Sequence, residues 1–182
     1  MLVALLVIVL AIAALLAHAS TRPPAFRYER STRIAAPMLQ VAELIDDFRE
    51  WKKWSPWEQI DPSLQRSYSG PDAGVGAVYE WSGNGKAGTG RMEITGMDAG
   101  PDKGIITIRL DFLKPFKASN TAEFVMTPTA EGTELTWAMF GSSPFVSKVM
   151  GVFFDMDKMV GKDFEEGLAN LNNVARSQAQ PL

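Results

Sequence analysis

The chain reads as an α+β protein in which an antiparallel sheet wraps around a long C-terminal helix. Three observations predict this. A strand and a helix open the body, strand-like runs broken by Gly, Pro or Asn turns fill residues 64–142, and a helically spaced apolar stripe follows from Val146 to Leu171. Ahead of them all lies Leu2–Ala17, a run with no charged or polar side chain.

Taken in order, the N-terminal run as a helix would be about 24 Å long, near the lower limit for crossing a bilayer core once His18 and Ala19 are added. A single-pass anchor over residues 1–19 and a cleaved leader with Ala17-His18-Ala19 ahead of Ser20 both fit. The missing basic residues before the run, and its length, favour the anchor. Arg22, Arg27, Arg30 and Arg33 follow it, which by the positive-inside rule puts the body on the cytoplasmic side; an upstream start carrying Lys or Arg would reverse that. Two prolines make residues 20–25 a short stiff linker.

Phe26–Ile34 is rich in β-formers and reads as the first strand. Ala35-Ala36-Pro37 opens a helix with apolar residues at Leu39, Val41, Ala42, Leu44, Ile45 and Phe48. Trp51–Pro62 is interrupted by Pro56 and Pro62 and reads as a short helix and loop. A turn on Asn84-Gly85 joins Val75–Ser82 to Ala87–Thr95, setting Trp81 opposite Gly88, Tyr79 opposite Gly90 and Ala77 opposite Met92. Rings over bare glycine backbone predict a strongly curved sheet with room on its concave face. A turn over Thr129–Gly132 sets Phe124 opposite Trp137 and Met126 opposite Leu135, while Ile106, Ile108, Leu110 and Phe112 share one face of their strand. Ser142 then reads as the N-cap of the last helix, with Pro144 in its first turn, and Gly151, Gly161 and Gly167 point to a break near Gly151 or a close helix-to-sheet approach.

Composition removes much chemistry. There is no cysteine, and the one histidine, His18, borders the apolar run, so the body holds no thiol nucleophile, no zinc site built on Cys or His and no Ser-His pair. The net charge of −3 comes without a block of basic residues, which argues against nucleic acid as a partner. Gly83-Asn-Gly-Lys-Ala-Gly88 has dinucleotide-binding spacing, but a strand and not a helix follows it, so its glycines belong to a hairpin. Among possible acids and bases, Glu80, Asp111 and Glu123 alternate away from the apolar face; Tyr79, and Glu58 at the cavity mouth, are weak catalytic candidates. Asp155 and Asp157 read as solvated, and neither a metal nor a cofactor is expected.

Arg30-Ser-Thr-Arg-Ile-Ala-Ala-Pro37, Trp51-Lys-Lys-Trp-Ser-Pro-Trp57, Gly74-Val-Gly-Ala-Val-Tyr-Glu-Trp81 and Gly161-Lys-Asp-Phe-Glu-Glu-Gly-Leu-Ala-Asn-Leu171, in that order, resemble bacterial polyketide cyclase/dehydrase-type proteins of the START-like, helix-grip (SRPBCC) superfamily. The resemblance covers residues 26–176 and leaves 177–182 as a tail. It implies a curved seven-stranded antiparallel sheet gripping the long helix, two small helices closing one end, and a deep hydrophobic cavity. It implies no reaction, because the fold serves lipid carriers, receptors, chaperone-activating modules and a few cyclases.

The expected function is therefore binding of a hydrophobic or lipid-like small molecule by a domain tethered to the bacterial cell membrane, or secreted or periplasmic if the leader is cleaved after Ala19. A protein-interaction or chaperone-assisting module and a polyketide cyclase-like enzyme are the alternatives. Tyr79, Trp81, Met92, Phe124, Trp137, Met150, Phe153 and Met156 are the expected ligand wall. Trp51, Trp54 and Trp57 are the expected gate, with a structural aromatic plug as the competing account. Nine methionines suit either a permissive ligand site or simple gap-filling.

Overall fold

The structure is a computed structural model that describes residues 1–179; of the expected tail, residues 180–182 lie outside the described residues. Helix α1, Leu2–Ser20, leads into strand β1, Ala25–Ile34, and helix α2, Met38–Asp46. Two 3₁₀ turns, Glu50–Lys53 and Pro56–Gln59, precede six further strands: β2 Gln65–Ser69, β3 Val78–Ser82, β4 Thr89–Ala99, β5 Gly104–Lys114, β6 Ala118–Thr129 and β7 Gly132–Ser142. Helices α3, Phe145–Phe153, and α4, Met156–Ala179, complete the chain. The strands form one antiparallel sheet in the order β1-β7-β6-β5-β4-β3-β2, so the first strand closes against the last.

Alternation builds the concave face. Met92 and Ile94, Ile106 and Ile108, Ala122, Phe124 and Met126, and Leu135 and Trp137 all point into the core, each with a more exposed neighbour on the outer face. Helix α4 answers with Phe164, Leu168, Leu171 and Ala175, one buried stripe at i, i+4, i+7 and i+11. Helix α2 adds Val41, Leu44 and Ile45, while its Leu39 is 71% exposed. The grip is locked from outside by Arg30, whose guanidinium bonds Glu165 Oε1 at 2.8 Å and Asp157 at 3.2 Å across α4.

Three local expectations are corrected. The β6–β7 register is as expected, with Phe124 opposite Trp137 and Met126 opposite Leu135. In the β3–β4 hairpin, however, Tyr79 pairs with Met92 and Trp81 with Gly90, a shift of two positions, and the strand begins at Val78. The Asn84 side chain is the reason: its Oδ1 accepts from the amides of Lys86 and Ala87, and Asp61 Oδ2 accepts from Asn84 N, which opens a wider loop closed by Gly83 and Gly88. Secondly, Ser142 ends β7, and Pro144 takes the N-cap position of α3. Thirdly, the break expected near Gly151 is present but falls slightly later, at Phe154, whose backbone is extended, and Asp155 Oδ1 caps α4 by accepting from Lys158 N at 3.0 Å. Helix α3 lies against α1 and buries no residue.

Candidate functional site

Between the concave sheet face, the 3₁₀ turns and α4 lies a cavity of about 310 Å³. Met92, Leu110, Ala122, Trp137 and Met139 line it from the sheet, Trp57 from the second 3₁₀ turn, and Val160 and Phe164 from α4. Its rim is made by the more exposed Ile60, Lys86 and Phe112. Stacked rings stiffen both sides: Trp137 lies between Phe124 and Phe164, at centroid distances of 4.9 and 4.4 Å. Tyr79 lies between Tyr68 and Trp81, at 5.3 and 5.9 Å.

The two weak catalytic candidates meet, and they engage each other. Tyr79 Oη donates to Glu58 Oε1 at 2.5 Å, while Arg66 Nε donates to Glu58 Oε2 at 2.6 Å. Glu58 is thus a buried carboxylate with both oxygens occupied and its charge balanced by Arg66. Burial first, and donation to this carboxylate second, push the Tyr79 phenol far above its ordinary range. A phenol so held is neither a base nor an acid of useful strength at neutral pH, and its one proton is already committed.

The expected wall divides into three groups. Tyr79, Trp81, Met92 and Trp137 line the cavity. Phe124 is fully buried behind Trp137 and does not reach the lining. Met150, Phe153 and Met156 are a correction: they are 48%, 64% and 37% exposed on α3 and the first turn of α4, away from the cavity, because the break at Phe154 turns α3 out toward α1. Of the expected gate, Trp51 and Trp54 donate their indole N–H groups to the carbonyls of Ile45 and Leu44, each at 2.9 Å, which satisfies the C-terminal end of α2 and seats the first 3₁₀ turn. Trp51 and Trp57 line the cavity; Trp54 does not. Glu80 is exposed, Asp111 bonds Ser119 and Arg109, and Glu123 faces Arg27. No cluster of three or more His, Cys, Asp or Glu side chains able to hold a metal occurs among the described residues.

Two polar groups that sequence reasoning missed are left without a side-chain partner among the described residues: the Asp163 carboxylate and the hydroxyl of the buried Ser55, both in the lining. Burial, then the nearby Glu166, raise the Asp163 carboxyl above its usual range, with Lys162 opposing. The signal for Asp163 was present in the spacing, since it flanks Val160 and Phe164 on the apolar stripe.

The fold recurs in solved structures of low sequence identity. Protein SA2116 of Staphylococcus aureus matches with a TM-score of 0.59 at 13% identity, covering 86% of this chain and 97% of its own. Protein jhp0584 of Helicobacter pylori matches at 0.60 and 8%, covering 83% and 87%. The di-domain ARO/CYC StfQ of the steffimycin biosynthetic pathway matches at 0.61 and 15%, covering 85% of this chain and 52% of its own. A search of curated proteins finds no match. The seven-stranded sheet closed on α4 is the helix-grip fold, and residues 25–176 match the family described as polyketide cyclase / dehydrase and lipid transport, to which this chain belongs.

Proposed function

We propose that the protein is a membrane-tethered holder of one hydrophobic or lipid-like molecule, bound in the cavity under α4 with its polar end at Asp163 and Ser55. One observation carries this reading. The cavity is walled by apolar and aromatic side chains, its Glu58 and Tyr79 are consumed by each other, and its only other carboxylate among the described residues, Asp163, is unengaged. Affinity would come from apolar burial at about 25 cal/mol per Å², and orientation from a ligand hydroxyl or amine donating to Asp163. The lipid transport in the family's description and the apolar, almost wholly exposed α1 support the same reading. Confinement without an acid or base favours holding over turnover.

The test is native mass spectrometry of the full chain released from nanodiscs. A retained lipid-sized mass is expected, and it disappears in Ala122→Phe, which fills the cavity from the sheet side. A chain that carries no extra mass, or one whose extra mass survives Ala122→Phe in a folded protein, overturns the reading. Dodecylamine should compete for the site better than laurate, and Asp163→Asn should erase that difference; equal competition in the unaltered chain removes Asp163 from its role.

A further inference from the structure

The strand registers place several otherwise unrelated features at one end of the sheet. Gln65 pairs with Ser82, Ser82 with Thr89, and Thr89 with Lys114; Phe112 pairs with Ala118, Asn120 with Gly141, and Phe26 with Gly141. At this end α1 passes into β1, β7 passes into α3, the β5–β6 hairpin turns at Phe116, and the β3–β4 loop carries Lys86 to the cavity rim.

Two separate apolar surfaces are bare here. Phe116 is 81% exposed, with Lys114 and Lys117 on either side of its hairpin. On α3, Val149 and Val152 are half-buried, whereas Val146, Met150 and Phe153, at i, i+4 and i+7, form an exposed apolar face. Helix α1 is covered only near its C-terminal end, at Leu15 and Ala19, so α3 sits at the level where the apolar run finishes. Arg22 lies over α3 there: its Nη1 is 3.1 Å from where a Cβ on Gly151 would be.

Charge follows the same geometry. Arg22, Lys86, Lys114, Lys117 and Lys148 make no ion pair among the described residues. Of the carboxylates near this end, Asp157 is engaged by Arg30, Asp61 by Ser63 and the Asn84 amide, Asp111 by Ser119 and Arg109, and Asp155 by the start of α4, while Asp163 faces the cavity; Glu80, on the outer face of β3, is exposed and unpaired among the described residues. The turns at the opposite end are mixed in sign: Asp72 pairs with Arg49, Glu131 with Arg33, and Asp102 is followed by Lys103.

We propose that this end is a seat for an anionic lipid surface. Phe116 and the outer face of α3 enter the headgroup boundary beside α1, the unpaired cations meet lipid phosphates, and the cavity rim at Lys86 and Phe112 opens onto the leaflet, so that a molecule enters from the membrane and not from water. The proposal rests on the tethered reading of α1. A second copy or another protein would also cover apolar side chains; the adjoining apolar helix and the free cations favour lipid.

The chain has no cysteine, so Val9→Cys, Phe116→Cys, Val146→Cys and Glu131→Cys each accept one polarity-sensitive fluorophore in the full-length protein. Reconstitution uses nanodiscs of phosphatidylcholine and phosphatidylglycerol containing a lipid quencher. Quenching at Val9, Phe116 and Val146 with none at Glu131 is expected. Quenching at Val9 alone overturns the seat and leaves the tether; no quenching at any position overturns both. Lys114→Ala with Lys117→Ala should lower the ratio of seated to unseated protein by about fivefold per lysine, and pure phosphatidylcholine should act in the same direction. An unchanged value in both overturns the part assigned to the cations.

Discussion

Glu58, Tyr79 and Arg66 have side chains of catalytic type, and each is bonded to another of the three. Removing the phenol tests that bonding. Tyr79→Phe leaves Glu58 Oε1 without its donor and should cost about 1–3 kcal/mol in urea unfolding, while the ligand mass retained by the protein stays. The same residue sets an alkaline limit. Folding holds its proton more tightly than the unfolded chain does, so this contribution is complete below the ordinary phenol value of 10.0 and is lost as pH rises above it. Stability measured from pH 8 upward should therefore decline in the unaltered protein, and decline less steeply in Tyr79→Phe; identical slopes would show that another group governs the alkaline limb. Asp163 was harder to read than this cluster because a lone carboxylate on the flank of an apolar stripe resembles any solvated helix residue until the sheet is placed opposite it.

At the scale of elements, closeness between backbone and ring decides the β3–β4 hairpin. A Cβ on Gly90 would lie 2.3 Å from the Trp81 ring and 2.7 Å from the Asp111 carbonyl oxygen. Gly90→Ala should displace Trp81 from the cavity wall and destabilise by about 1–3 kcal/mol, seen as a lower urea midpoint together with altered tryptophan emission. Asp155→Ala, which removes the α4 cap, should cost about 1 kcal/mol and raise amide exchange in the first turn of α4 without disturbing α3. These two elements also show where sequence reasoning stops. The β6–β7 register was legible because alternation and a tight turn at Thr129–Gly132 agree, and both are local. The β3–β4 register was not, because Asp61, far away in the chain, helps hold the loop. Helical spacing runs on past Phe154 in the sequence, so it could not reveal that Met150 and Phe153 leave the core while Phe164 and Leu168 enter it. Periodicity reports which side of a helix is apolar; it does not report what that side meets.

For the whole molecule, Trp137 joins everything: it stacks between Phe124 and Phe164, makes edge contacts with Trp54 and Trp57, and lines the cavity. Trp137→Ala should cost about 3–5 kcal/mol and lower the cooperativity of unfolding measured in urea, whereas Val146→Ser on the bare face of α3 should leave stability within about 0.5 kcal/mol. The contrast separates a core shared by sheet and helix from a surface that contributes nothing to folding in water. The architecture was readable from the order of elements and the sequence patterns that carried the family resemblance. The location of the exposed apolar end was not, since it depends on which strand ends share a row.

The pairing of β1 with β7 also orders events in time. β1 is synthesised directly after α1, yet the partner that fills its ladder, residues 133–142, follows only after five intervening strands, and α4 comes later still. Contacts this distant in sequence form slowly. A nascent chain therefore holds an open half-sheet, with Phe124 and Trp137 uncovered, until α4 arrives, and the interval before that closure is when misassembly competes most strongly with the native grip.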